Sequence, residues 1–180
     1  MPFDGMASMR PGCRQAPRAL RDASARFGWL GEPEGASGFF DIESKHTFLD
    51  GRTIVDAGDV DVSLDEAVTR ERVTAHARRI VETGAVRAAI GGDHSVTFPL
   101  ISAFESQGPL TVILFDAHRE ADGVTFRQAK RLLRSLGTRG RLVGVDLVEV
   151  NPYLDQAELT QHIAVQLLIE ALAGGDARRR

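Results

Sequence analysis

The feature that most constrains the fold of this chain is an alternation of apolar runs of strand length with helical segments. Four runs have strand character, at residues 53–56, 86–90, 110–115 and 142–150. The run at 110–115 is apolar at nearly every position, which is typical of a strand buried on both faces of a parallel sheet. Strands that alternate with helices predict an α/β fold, with a three-layer, mostly parallel sheet flanked by helices.

Capping signatures predict where the helices begin. Ser63 followed by Glu66 has the spacing of a capping box, and so does Thr125 followed by Gln128. Gly174 is the predicted stop of the last helix, because glycine is common just beyond a helix C-terminus. Helical segments are predicted at residues 17–26, 63–84, 97–106, 125–137 and 155–174.

Composition and charge narrow the class of protein. The 180 residues are 43% hydrophobic and 26% charged, which is ordinary for one soluble globular domain. A net charge of −3 gives no electrostatic case for a nucleic acid or an anionic membrane as partner. Cys13 is the only cysteine, which excludes an internal disulfide and a thiolate metal cluster. No signal-peptide pattern or membrane-length apolar stretch is found, so the sequence predicts a cytoplasmic protein.

Residues able to do chemistry follow three of the strand-like runs. His94 comes after the pair of glycines that ends the run at 86–90. Asp116, His118 and Glu120 follow the run at 110–115, and Glu149 lies near the end of the run at 142–150. If the chain stays extended after residue 115, the three side chains at 116, 118 and 120 share one face, and their oxygen and nitrogen donors suit a divalent metal such as manganese. Ligands collect at the carboxyl ends of parallel strands, so these residues are candidate site residues.

Taken singly, each of these candidates has a plainer interpretation. A lone His after a strand is more often a hydrogen-bonded structural group than a metal ligand, and a Glu at a strand end is usually solvated. Their joint placement after three strands favours a functional site without deciding for one.

Three short segments carry a family resemblance. GGDHS at 91–95, DAH at 116–118 and VEVNP at 148–152 resemble, in this order, the signatures of the manganese-dependent ureohydrolases, which include arginase and agmatinase. PFDG at 2–5 and RPG at 10–12 resemble the family's first loop, and favour its agmatinase branch. The resemblance implies a truncated arginase/deacetylase-like fold and hydrolysis of a guanidino compound to urea and an amine.

The resemblance also implies residue roles. His94, Asp116 and His118 correspond to metal ligands of a centre that holds two Mn²⁺ ions in the family, and Glu149 to the carboxylate that holds the substrate guanidinium. In the implied mechanism the paired ions make hydroxide available near neutral pH, and this hydroxide attacks the guanidinium carbon. Glu149 would position the cationic substrate by charge-assisted hydrogen bonds.

The sequence departs from the family pattern after His118. The family's second signature normally reads DAHTD, whereas this chain has DAHRE, and the following middle block with its Asp-x-Asp ligand pair is absent. We therefore predict a single domain, 1–180, internally shortened near 119–123, with one Mn²⁺ or none and weak or no activity. Glu120 has two interpretations: it is a ligand if the signature continues through it, and no ligand if it belongs to the far side of the junction.

A second hypothesis is a non-catalytic ureohydrolase remnant that acts as a partial metal-binding or oligomerisation module. The missing block would remove sheet neighbours of the retained strands, and unpaired sheet edges favour association. The predicted partners are therefore a small guanidino substrate and a further copy of the chain in a homo-oligomer.

Overall fold

The computed structural model describes residues 1–8, 10–25, 38–41, 45–115 and 124–176. The helices are α1 (Ala16–Ser24), α2 (Glu66–Glu82), α3 (Thr97–Ser102), α4 (Phe126–Arg139) and α5 (Leu159–Asp176). The strands are β1 (Phe39–Asp41), β2 (His46–Phe48), β3 (Arg87–Ile90) and β4 (Gly144–Leu147). Short 3₁₀ helices span Cys13–Gln15, His94–Val96 and Glu105–Gln107.

The centre of the fold is the parallel pair β3–β4, with helices on both of its faces. Arg87 pairs with Gly144 and Ile90 with Leu147, while β1 and β2 form a separate antiparallel pair. Because alternate strand residues point to opposite faces, Ala89 packs into the apolar cluster of α2 and α3. Ile90 and Leu147 pack against the cluster of α1 and α5 on the other face. This layering is the predicted α/β arrangement.

The start of α2 differs from the prediction. Its N-cap is Asp65, whose carboxylate accepts the backbone N–H groups of Ala67 and Val68. Ser63, two residues before this cap, makes two other contacts. Its hydroxyl accepts the N–H of Asp65, and its own N–H donates to the Thr69 hydroxyl at 2.8 Å. An aspartate and a serine cap equally well, so local sequence alone did not separate the two.

The predicted capping box of α4 is confirmed. The side chain of Thr125 accepts the backbone N–H of Gln128, and the side chain of Gln128 accepts the N–H of Thr125. Both orphan donors at this helix start are therefore satisfied reciprocally.

The predicted stop at Gly174 is wrong, since α5 continues to Asp176. A Cβ at Gly174 would lie 2.8 Å from the carbonyl oxygen of Leu133 in α4. This glycine therefore permits close packing of the two helices instead of ending one of them.

An ion cluster is buried between α4 and α5. Glu170 is completely buried, and its carboxylate accepts from Arg134 and lies 3.3 Å from the Lys130 ammonium. The Arg134 guanidinium also stacks 4.6 Å from the centre of the Phe48 ring. The cluster ties β2 to the α4–α5 pair.

No helix in the described part of the chain is long and apolar enough to cross a membrane.

Two predicted strands do not form. Residues 53–56 pair with no strand, and Asp56 is instead bound by Arg21 of α1, with 2.7 Å between Nε and the carboxylate. Residues 110–115 form neither helix nor strand, and the five apolar side chains are between 39% and 58% exposed. A strand needs hydrogen-bonding neighbours, and in the described residues β4 pairs only with β3. The apolar pattern is therefore present without the sheet it predicts.

Candidate functional site

Three loops meet at the carboxyl ends of β3 and β4. Gly91 donates its N–H to Leu147 at 2.8 Å, and Glu149 donates its N–H to the carbonyl of Gly92 at 2.8 Å. The N-terminal loop joins them, because the N–H of Asp93 donates to the carbonyl of Phe3 at 2.9 Å. Backbone hydrogen bonds thus fix the signature segments at 91–95 and 148–152 against one another and against the N-terminal loop.

Gly92 allows the close approach of the N-terminal loop. A Cβ on this residue would lie 1.6 Å from the carbonyl oxygen of Phe3, so no larger residue fits. Glycine permits this close backbone contact because it has no Cβ.

Asp93 holds the loop that presents His94. Its side chain is almost completely buried and accepts the N–H of Met6 at 2.8 Å and that of Ser95 at 3.0 Å. The same carboxylate caps the 3₁₀ helix that begins at His94. Asp93 is not among the predicted site residues, although an aspartate two residues before Ser95 is a recognisable turn signal.

Glu149 and His94 come together at the centre of the site. Oε1 of Glu149 accepts the backbone N–H of His94 at 2.7 Å, and Oε2 lies 4.0 Å from the thiol of Cys13. Glu149 has a φ of 64°, a left-handed conformation that costs a non-glycine residue on the order of 1 kcal/mol. The imidazole of His94, which is partly buried, hydrogen-bonds to none of the described residues.

The N-terminal loop forms one wall of this site. The buried carboxylate of Asp4 accepts the N–H of Gly12 at 2.6 Å and forms a 2.7 Å ion pair with Arg14. The Asn151 side chain donates to the Arg10 carbonyl at 3.2 Å, which links the wall to the loop after β4. These contacts hold the segments at 2–5 and 10–12, which resemble the family's first loop, against each other and against the loop after β4.

The wall is electrostatically negative at Cys13. Burial raises the pKa of this thiol, and the neighbouring charges of Glu149, Asp4 and Asp93 raise it further. Groups that disfavour a thiolate favour a cation by the same Coulomb interaction. The arrangement is therefore suited to a positively charged ligand.

The metal ligands can be tested only in part. Asp116, His118 and Glu120 lie outside the described residues. Within the described ranges, no three His, Cys, Asp or Glu side chains converge on one point. The carboxylates of Asp4 and Asp93 are already engaged with backbone N–H groups. The described residues by themselves therefore offer His94 as a donor and do not make up a metal site.

Comparison with protein families decides the assignment. The family model described as "Arginase family" matches residues 1–121 and residues 119–174, which together are nearly the whole chain. The chain belongs to the arginase family. Both site loops of this arginase-family chain, with His94 and Glu149, lie inside the matched stretches. The predicted family resemblance is thereby confirmed.

Curated relatives of this arginase-family chain carry hydrolase names. It is 33% identical to the proclavaminate amidinohydrolase of Streptomyces clavuligerus over 123 residues, and 32% identical to the agmatinase of Sodalis glossinidius over 130 residues. The alignments cover 67% and 70% of this chain. They cover 36% and 40% of the relatives, so the chain spans well under two thirds of the length of the curated relatives it matches.

A solved structure shows the same fold. The crystal structure of a hypothetical agmatinase from Burkholderia thailandensis matches with a TM-score of 0.82 at 20% identity. The match covers 99% of this chain and 84% of that one. It confirms the predicted α/β, arginase-like fold class.

Proposed function

We propose that this chain carries an agmatinase-type ureohydrolase site, which hydrolyses a C–N bond of a guanidino compound to give urea and an amine. The observation that carries the proposal is the 2.7 Å hydrogen bond from the backbone N–H of His94 to the carboxylate of Glu149. The hydrolase names of the curated relatives support this reaction class.

Glu149 is the residue that holds the substrate. Its carboxylate lies beside the N-terminal wall, and the negative charges of Glu149, Asp4 and Asp93 favour a cation there. A guanidinium donates charge-assisted hydrogen bonds to carboxylate oxygens. A guanidinium bound to this carboxylate has its carbon beside the loop of His94. Binding at Glu149 therefore fixes the orientation of the reacting bond. The left-handed backbone of Glu149 supports this role, because strain of this kind is concentrated at functional sites.

Manganese is the proposed cofactor. His94, Asp116 and His118 are its proposed ligands, and when bound it would supply Lewis-acid chemistry that makes hydroxide available near neutral pH. The imidazole of His94, which hydrogen-bonds to none of the described residues, supports the first of these roles. Glu120 keeps its two interpretations, as a ligand or as part of the junction. With the Asp-x-Asp pair missing, we propose one Mn²⁺ or none, and weak activity.

The proposed organisation is one domain, 1–180, that is internally shortened near 119–123. The two matched stretches of the family model, which meet at residues 119–121, support it. We also propose a cytoplasmic location and a homo-oligomer. The outer edge of β4 and the exposed apolar residues at 110–115 support self-association, because unpaired sheet edges and apolar patches are surfaces that bind other chains.

A non-catalytic remnant is the second candidate function. The observation that favours it is in the sequence: no Asp-x-Asp pair follows Glu120, although the family pattern has one there. In this role the chain would bind metal partially, or associate with other copies, without turnover.

Urea release from the purified 180-residue chain separates the two candidates. The chain would be loaded with Mn²⁺ and offered agmatine, arginine and guanidinobutyrate in turn. We expect slow urea release that is lost in His94→Ala and in His118→Ala, with Glu105→Gln as an exposed control. A folded chain that releases no urea from any of the three compounds contradicts the catalytic proposal and supports the remnant.

A further inference from the structure

The two oxygens of the Glu149 carboxylate have different surroundings. Oε1 is bound by the backbone N–H of His94 at 2.7 Å, a normal charge-assisted hydrogen bond. Oε2 is approached by one donor among the described residues, the thiol of Cys13, at 4.0 Å. A thiol is a weak donor, and this separation is at the outer limit for sulfur. Within the described ranges, Oε1 therefore has a strong main-chain donor, and Oε2 has only the weakly donating thiol.

Cys13 is held in this position by the wall of the site. It begins a 3₁₀ helix directly after Gly12, whose N–H is bound by Asp4, and its side chain is buried. A Cβ on Gly12 would lie 2.3 Å from the Oδ1 atom of Asn151, so the wall also packs tightly against the loop after β4. The thiol is thus fixed between two anchored loops.

We propose that Cys13 is a specificity-determining residue of the guanidino site, where its weakly donating thiol keeps the Oε2 atom of Glu149 available to one cationic nitrogen of the substrate. The inference rests on the proposed function of Glu149 and adds the role of its neighbour. Oε2 then offers the cation more free acceptor capacity than Oε1, which keeps its hydrogen bond to His94. A stronger donor at position 13 would compete with the substrate for Oε2.

The contact itself can be tested without substrate. Cys13 is the only cysteine, so the ultraviolet absorbance of the thiolate, taken through a pH titration as the difference from Cys13→Ala, reports this side chain alone. Burial and the charge of Glu149 both raise its pKa, so Glu149→Gln removes one of these causes. We expect a lower thiol pKa in Glu149→Gln and no change in Glu105→Gln, a substitution on an exposed turn. An unchanged pKa in Glu149→Gln overturns the inference, whatever reaction the chain performs.

The effect on ligand affinity is tested with two variants that differ by one oxygen atom. Cys13→Ser places a stronger donor beside Oε2, and we expect calorimetry to show agmatine binding about tenfold weaker. Cys13→Ala removes the donor, and we expect binding about twofold tighter on the same principle. Shifts in these opposite directions support the inference.

Two other results contradict the inference and are distinguishable. Equal agmatine affinities in the Ser and Ala variants, with binding by the wild type intact, overturn the role of Cys13 and leave the proposed function standing. A folded wild-type chain that binds no agmatine overturns the proposed function, and the role of Cys13 falls with it.

Discussion

The backbone N–H of His94 lies 2.7 Å from the carboxylate of Glu149, and this bond joins the loop after β3 to the loop after β4. Glu149 makes it from a left-handed backbone with a φ of 64°. The geometry depends on both the side chain and the strained main chain, and substitutions can separate the two contributions.

Glycine should be tolerated better than alanine at position 149. Both Glu149→Ala and Glu149→Gly lose the carboxylate, but glycine adopts positive φ without steric cost. We expect the free energy of unfolding to be about 1 kcal/mol larger for the glycine variant, as measured by urea denaturation.

Glu66 supplies the matched control, because it opens α2 in a right-handed helical conformation. There glycine should be less stable than alanine by up to about 1 kcal/mol. The same order of stabilities at both positions would show that residue 149 is not strained in the folded chain.

The sequence was informative where the signal is local. The capping box of Thr125 and Gln128 needs four adjacent residues, and the structure has it as predicted. The close backbone contact after β3 likewise depends on a local signal, the adjacent residues Gly91 and Gly92. By contrast, the buried Asp93 gains its importance from Met6, 87 residues away, and no local pattern encodes that contact.

Residues 110–115 show a different limit of sequence reasoning. Their apolar pattern is that of a buried strand, but a strand exists only when neighbouring strands supply hydrogen bonds. An apolar pattern indicates that a segment would be buried in a sheet, but it does not indicate whether neighbouring strands are present to pair with it. The same limit applies to residues 53–56, where Arg21 binds the loop at Asp56 in place of a sheet.

The buried ion cluster should be the most sensitive part of the α4–α5 pair. Glu170→Gln removes the negative charge that Lys130 and Arg134 share, and breaking a buried ion pair costs about 3–5 kcal/mol. Glu158→Gln, which loses only a 4.0 Å contact of an exposed carboxylate with His162, should change stability by less than about 1 kcal/mol. Urea denaturation measures both, and similar losses in the two variants would contradict the importance assigned to this cluster.

The exposed apolar segment should promote self-association. Ile113 is 52% exposed in the middle of residues 110–115, so Ile113→Lys places a charge where an edge-to-edge contact would form. We expect light scattering after gel filtration to show a smaller average mass for this variant. Leu64→Lys, at a fully exposed position outside this segment, should leave the mass unchanged. A wild-type chain that is monomeric at high concentration would contradict the proposed oligomer.

Stability should depend on the Cys13 thiol at alkaline pH. Burial and the charge of Glu149 raise the pKa of the folded thiol, so the folded chain holds this proton more tightly than the unfolded chain. The resulting stabilisation is complete below the unfolded pKa of about 8.5 and is lost as pH rises through the folded pKa. We expect the free energy of unfolding to fall more steeply above about pH 8.5 in the wild type than in Cys13→Ala. Parallel pH profiles for the two proteins would rule this out.

The most direct test of the account is calorimetric binding of agmatine to the 180-residue chain, compared between the wild type and Glu149→Gln. The amide keeps the shape of the side chain and removes its charge, and a hydrogen bond to a charged group contributes about 1.5–3 kcal/mol. We predict binding by the wild type and by Glu105→Gln, and affinity at least about tenfold weaker for Glu149→Gln. Equal affinities for the wild type and Glu149→Gln would contradict the claim that Glu149, positioned by the N–H of His94, holds the guanidinium.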